Sequence, residues 1–187
     1  MATKCSWDDP SAFTTTVNTN IMGVVNGIAT LVPLVKTTAA AGNRSSIVIT
    51  GSKQGITNPP GNPAYNASKA AVKSLAEHLS FDLRHEKGLS VHLLVPGWTF
   101  TGMTGASSGR EKPAGAWLPE QVADHLEARR TEGQFWVLCP DNDVSEKLDR
   151  KRMAWGAAEM IQGRPPLTRW REDWKEIAQG EIENLDV

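Results

Sequence analysis

At 187 residues the chain has the length of one domain, and its 20 basic against 21 acidic side chains leave a net charge of −1. That balance gives no electrostatic footprint for nucleic acid or a membrane surface, so neither is expected as a partner. Cys5 and Cys139 are too few and too scattered for a disulfide framework or a thiolate metal site; no apolar run approaches the ~20 residues that span a bilayer and the polar first residues carry no signal-peptide core, so a reducing, cytoplasmic setting is expected.

In chain order, Asp8-Asp9-Pro10 is an acidic cap with proline at the first helical position, and it predicts a long helix carrying Asn20-Ile21-Met22-Gly23. An asparagine in mid-helix is unfavourable and calls for a reason. Gly23 and Gly27 form a lone GxxxG inside this helical pattern rather than after a strand, so they read as small packing residues and not as a phosphate loop. Ile47-Val48-Ile49 is β-branched throughout and predicts a strand over 47–50, buried on both faces. It ends at Thr50-Gly51-Ser52, which puts Ser52 at the carboxyl end of a parallel strand, where open α/β sheets place ligands. A loop with Gly55, Pro59, Pro60, Gly61 and Pro63 leads into a second helix, whose period is marked by Val72, Leu75, Ala76, Leu79 and Leu83. On it stand the only tyrosine, Tyr65, and Lys69, four residues apart and therefore on one face. A free phenol titrates near ~10, too high for proton transfer at neutral pH, but an adjacent ammonium favours its phenolate.

Val91-His92-Leu93-Leu94-Val95 predicts a second buried strand, ended by Pro96-Gly97, with Thr101 four residues beyond Gly97. Gly102–Gly115, with four glycines, two serines and one proline, reads as a mobile loop. Gln134-Phe135-Trp136-Val137-Leu138 predicts a third strand. Beyond Pro140 the chain is heavily charged. Val144, Leu148, Trp155 and Ile161 suggest an amphipathic helix, Pro165-Pro166 breaks it, and Trp170, Trp174 and Ile177 mark another. Trp98 is a candidate pocket wall, whereas Trp136, Trp155, Trp170 and Trp174 read as core and tail packing. His78, His85, His92 and His125 have no paired spacing that suggests a metal.

Asn20-x-x-Gly23, the strand ending at Ser52, Tyr65-x-x-x-Lys69 and Pro96-Gly97-x-x-x-Thr101, in that order over residues 8–101, resemble the short-chain dehydrogenase/reductase family. Leu118-Pro119-Glu120-Gln121-Val122-Ala123 is similar to the helix that follows the family's substrate loop. The resemblance implies an α/β fold: a partial Rossmann-type, doubly wound parallel sheet with flanking helices. Residues 1–187 would form a single catalytic domain, with 140–187 as its charged helical tail. It implies an oxidoreductase that interconverts an alcohol and a ketone or aldehyde with NAD or NADP. Tyr65 would be the general acid/base, Ser52 would orient the substrate oxygen, Lys69 would hold the ribose hydroxyls, and Asn20 would anchor a water relaying protons to Lys69. Tyr65, Lys69, Pro96, Gly97 and Thr101 would contact the cofactor, and loop 102–115 would close over the substrate.

The family's Gly-x-x-x-Gly-x-Gly turn, its Asn-Ala-Gly stretch and the residue that selects between the two dinucleotides have no counterpart in residues 1–187. The expectation is that the N-terminal, nucleotide-binding half of the fold is missing and that NAD(P)(H) binds weakly. The chain would be either a truncated form of a longer protein or a short protein that covers the bare edge of strand 47–50. Two other functions stay open at this point: a noncatalytic oligomeric paralogue, and a cofactor-free isomerase or lyase using Tyr65 and Lys69. By resemblance, the helices carrying Asn20 and Tyr65 would pack across a two-fold axis into a homodimer or homotetramer, with Val24, Ile28, Val72 and Leu79 in the contact.

Overall fold

Asp9 opens the first helix by accepting the amides of Ser11 (3.1 Å) and Ala12 (3.3 Å), with Pro10 at the first helical position. The structure, a computed structural model, describes Trp7 and residues 9–187; the expectations placed on Cys5 and Asp8 lie outside the described residues. Helix α1 (Pro10–Val17) continues through a π turn, Asn18–Met22, into α2 (Gly23–Ala40).

The resulting 31-residue helix contains an 18-residue stretch of mean hydropathy 1.4, so by length and composition alone it is long and apolar enough to cross a membrane, contrary to the expectation from the sequence. Its threonines and asparagines break every continuous apolar run, yet Lys36 is its only charge, so the average stays high. Here the helix packs on a sheet: Val24, Ile28 and Val32 lie against the main core, while Leu31 and Leu34 are 56% and 62% exposed.

Strand β1 (Ser45–Thr50) leads through a short helix α3 (Gln54–Thr57) to α4 (Pro63–Asp82), then β2 (Leu89–Val95). Helix α5 (Pro119–Thr131), β3 (Trp136–Leu138), α6 (Glu146–Ile161), a 3₁₀ turn (Thr168–Trp170) and α7 (Lys175–Asn184) follow. The three strands form one parallel sheet in the order β1-β2-β3. Its register pairs Ile47 with Val91, Ile49 with Leu93 and Val95 with Leu138. Because side chains alternate across a strand, Leu93 and Val95 face one way and join Val72, Ala76 and Leu79 of α4; Leu94 faces the other way and joins Val122 of α5 and Val137. The outcome is helix, sheet and helix in three layers. Full burial of side chains such as Val72, Leu93 and Val95 contributes about 1.5–3 kcal/mol each.

Central β2 is buried from Val91 to Val95, as its sequence predicts. Strand β1 is not buried on both faces: it lies at the sheet edge, and Val48 is 38% exposed. The expected contact face for oligomers also needs correction. Val72 and Leu79 are buried and Val24 and Ile28 pack against the same core, so all four serve the chain's own interior. Loop 102–115 contains two 3₁₀ turns, Gly102–Thr104 and Ala106–Ser108, and its base is tied by Phe100 donating to Trp117 O and Trp117 donating to Trp98 O, 2.8 Å each.

In the C-terminal segment Trp155, Ala178 and Ile182 form a small separate core with Leu148, Trp174 and Leu185 around it. The indole of Trp155 donates to Thr168 Oγ1 at 2.7 Å and stacks under the Arg164 guanidinium at 3.7 Å. The inward stripe is therefore Trp174-Ala178-Ile182. Ile161 and Ile177 are 80% and 53% exposed, contrary to expectation, because α7 begins only at Lys175 and small Ala178 supplies the close contact. Trp136 and Trp170 likewise sit at the surface, Trp136 under the Lys73 ammonium at 5.3 Å.

Candidate active site

Ser52, Pro96, Gly97 and Thr101 line one cleft of about 600 Å³ at the carboxyl ends of β1 and β2, together with Trp98 and Met103. The strands end there for local reasons. Gly51 donates to Leu94 O at 2.7 Å, Lys53 prolongs the ladder with a longer bond to Pro96 O at 3.3 Å, and Ser52 Oγ accepts the Gln54 amide at 3.2 Å, starting α3. Helix α3 is pressed onto α4 at Gly55. A Cβ there would stand 2.7 Å from the Lys69 carbonyl carbon and oxygen, so only glycine lets the Ser52 turn sit this close to the helix of Tyr65 and Lys69.

Helix α4 starts at Asn62, whose Oδ1 accepts the Tyr65 amide at 3.3 Å, with Pro63 at its first position. Buried Asn66 secures the preceding loop by donating to Asn58 Oδ1 (3.2 Å) and Pro59 O (2.5 Å). Tyr65 and Lys69 share a face as their spacing requires, and Lys69 Nζ stands 5.8 Å from the Tyr65 ring centroid. The ammonium donates to Thr50 O at 2.9 Å, and burial lowers the Lys69 pKa from its ordinary 10.5.

Asn20 occupies the middle of the π turn. Its Nδ2 donates to Ser68 Oγ at 2.9 Å, and Ser68 in turn donates to Tyr65 O at 2.8 Å. That bond is the reason for an asparagine in mid-helix; π turns of this kind occur often at functional sites. Asn20 borders two smaller hollows, one shared with Tyr65 and Met103, the other with Lys69 and the outer edge of β1. Met103 also lines the main cleft. The sequence-derived residues thus fall into two groups: Ser52, Pro96, Gly97 and Thr101 on the main cleft, and Asn20, Tyr65 and Lys69 on the hollows beside it.

Four polar residues of the neighbourhood were not singled out by the sequence: Lys53, Asn66, Ser68 and Asp141. Lys53, Asn66 and Ser68 stand next to Ser52, Tyr65 and Lys69 in the chain, but no spacing or motif marks any of the four. The histidines are structural or at the surface. His78 and His85 are exposed, His92 is held between Gln134 O (2.7 Å) and Ser90 Oγ (2.8 Å), and His125 contacts Leu138 O at 3.1 Å.

The sequence model of the family described as short chain dehydrogenase matches residues 3–112. The chain belongs to the short-chain dehydrogenase family. A sulfoacetaldehyde reductase of Chromohalobacter salexigens is 36% identical over 152 residues, covering 80% of this chain and 58% of that protein. An oxidoreductase of Sarocladium schorii, asL5, is 40% identical over 78 residues, which are 42% of this chain and 29% of that one. The fold is also that of a short-chain dehydrogenase/reductase from Burkholderia phymatum, solved in complex with NAD: TM-score 0.65 at 24% identity, over 79% of this chain and 58% of that one. This chain therefore spans little more than half, or less, of the relatives it matches.

A nicotinamide dinucleotide is the cofactor this family implies. The cleft has the volume of a small-molecule site and one bare backbone wall at Gly97, which suits a flat nicotinamide, and the desolvated Lys69 ammonium beside Thr50 suits ribose hydroxyls. Gly23 and Gly27 lie inside α2 with open space where a Cβ would be, so they make no phosphate turn.

Proposed function

We propose that this chain carries the substrate-side half of an NAD(P)(H)-dependent oxidoreductase that interconverts an alcohol and a ketone or aldehyde. The supporting observation is the convergence of Ser52, Pro96, Gly97 and Thr101 on one cleft, with α4 holding Tyr65 and Lys69 against the same turn through Gly55. The nearest chemistry among the relatives above is that of a reductase named for a small aldehyde, and a small carbonyl compound or alcohol is the proposed substrate class.

Bound at the cleft, NAD or NADP supplies the redox chemistry; the chain's own residues bind, orient and move protons. The Ser52 hydroxyl donates to the substrate oxygen and fixes its direction. Tyr65 donates its proton to that oxygen as the carbonyl is reduced and takes one back in the oxidative direction. Lys69 holds the ribose hydroxyls of the cofactor and places a positive charge on the phenol's side of the helix, which favours phenolate. Asn20, tied to α4 through Ser68, anchors the water that returns protons to Lys69. Preorganised donors of this kind stabilise developing charge without reorganising at the moment of reaction. Pro96, Gly97 and Thr101 contact the nicotinamide side, and a cytoplasmic, oligomeric enzyme is the setting proposed.

The test is NAD(P)H-dependent reduction of short aldehydes and ketones, followed by absorbance. Tyr65→Phe keeps the ring and deletes one hydroxyl, so it should lower kcat about 10²–10⁴-fold with the fold intact. Turnover that survives Tyr65→Phe unchanged would overturn the proposal.

A further inference from the structure

Lys53 follows Ser52 directly, and its ammonium lies 3.3 Å from Asp141 Oδ2 and 2.7 Å from Asp149 Oδ2. All three side chains are withdrawn from solvent: Lys53 is 15% exposed, Asp141 7% and Asp149 1%. Arg152, 4.0 Å from Asp149 Oδ1, is a second cation facing the pair of carboxylates. Asp141 reaches further. Its Oδ2 also accepts the Trp98 amide at 3.1 Å, and its Oδ1 accepts the amides of Asp143 (3.2 Å) and Val144 (2.8 Å).

Gly97 completes the arrangement. A Cβ at that position would stand 2.6 Å from Asp141 Oδ2 and 2.9 Å from Lys53 Nζ, well inside contact distance. Residue 97 is bare because this ion pair fills the space behind it. One carboxylate thus joins the turn after β1, the turn after β2 and the loop after β3, and Asp149 extends the link to α6.

We propose that Asp141 and Lys53 are positioning residues, which together hold the Gly97–Trp98 backbone and the Ser52 turn at a fixed separation and so preset the wall of the cleft. A buried ion pair is weak evidence for stability, since desolvation offsets most of the attraction. What it supplies is geometry: a hydrogen bond from a backbone amide to a charged group is directional and stronger than a neutral one. Preset spacing matters because a misplacement of about 1 Å in a reacting group slows a step about 10²-fold. The consequence for turnover rests on the oxidoreductase chemistry proposed above; the consequence for the backbone does not.

Asp141→Asn is the discriminating variant. It keeps an oxygen for the Asp143 and Val144 amides but turns an NH₂ toward the Trp98 amide and the Lys53 ammonium, donors against donors. In ¹⁵N-labelled protein the Trp98 amide should exchange with solvent about tenfold faster or more, as expected when a hydrogen bond to a charged group is lost, while the Leu93 amide of β2 stays within about twofold. In the same variant kcat should fall about 10–100-fold with KM within about threefold, because binding groups remain and only their spacing loosens. Lys53→Met should lower kcat likewise and Lys53→Arg should recover most of it, which a role in stability alone does not require. Should Asp141→Asn fail to fold, Gly97→Ala presses on the same pair from the other side and should give the same local exchange pattern. A folded Asp141→Asn in which Trp98 exchange is unchanged overturns the inference. A wild-type chain with no carbonyl reduction overturns the oxidoreductase chemistry instead, and Trp98 exchange then decides the positioning role by itself.

Discussion

Among the described residues Lys69 has lost solvent without gaining a carboxylate: its ammonium donates to Thr50 O, and burial lowers its pKa from 10.5. The sign of the pH effect follows. Between the lowered value and 10.5 the folded protein has released this proton while the unfolded chain keeps it, so the contribution of Lys69 to stability increases as pH rises through that window. Denaturant unfolding of wild type and Lys69→Met from about pH 8 upward should give a stability difference that moves in favour of wild type with rising pH; a flat difference would refute the assignment. At this scale the sequence was informative where chemistry depends on local spacing. Tyr65 and Lys69 are four apart on one helix, and Ser52 ends a β-branched run. It was silent about Ser68 and Asp141, whose partners Asn20 and Lys53 lie 48 and 88 residues away, distances over which no periodicity carries information.

Among the elements, α3 is the one the sequence could not supply. Four residues are too few for a helical period, so Gly55 read as a loop glycine, whereas the structure makes it the contact point between α3 and α4. Gly55→Ala should cost about 1–3 kcal/mol through overpacking against the Lys69 backbone. It should lower Tm by several degrees, since each kcal/mol is worth about 2–4 °C in a chain of this size. It should also slow turnover by lifting the Ser52 turn off α4, and a variant with wild-type Tm would show that the interface has slack. The strands were legible because parallel β2 is buried on both faces; the β-branched run of β1 read as buried on both faces too, whereas the bare edge expected from its missing neighbour is what the sheet shows. The burial of β1 depends on a neighbour, which residues 45–50 do not encode. The phase of α7 was missed for a related reason: tryptophans drew the stripe toward Trp170 and Ile177, while the tight contact is made by Ala178.

For the whole molecule, the three-layer arrangement followed from alternating strand and helix patterns, and what remained unread was which apolar residues face outward. Val24, Ile28, Val72 and Leu79 are turned into the core, leaving Met22, Leu31, Leu34 and Phe81 exposed at 42%, 56%, 62% and 62%. Contiguous apolar surface marks association sites, and Leu31 and Leu34, three residues apart on α2, share one face. Light scattering at micromolar concentration should therefore give a dimer or tetramer, shifted toward monomer by Leu34→Glu; a monodisperse wild-type monomer would exclude it. The space behind Gly97 has a consequence for descent. Positions 53, 97 and 141 are far apart in the chain, yet any side chain gained at 97 collides with the pair formed by the other two. Drift at one of them is tolerated only after change at the others. In related chains the three should be inherited as a set: where 97 is glycine, 53 and 141 keep opposite charges, and where 97 carries a side chain, the pair is gone.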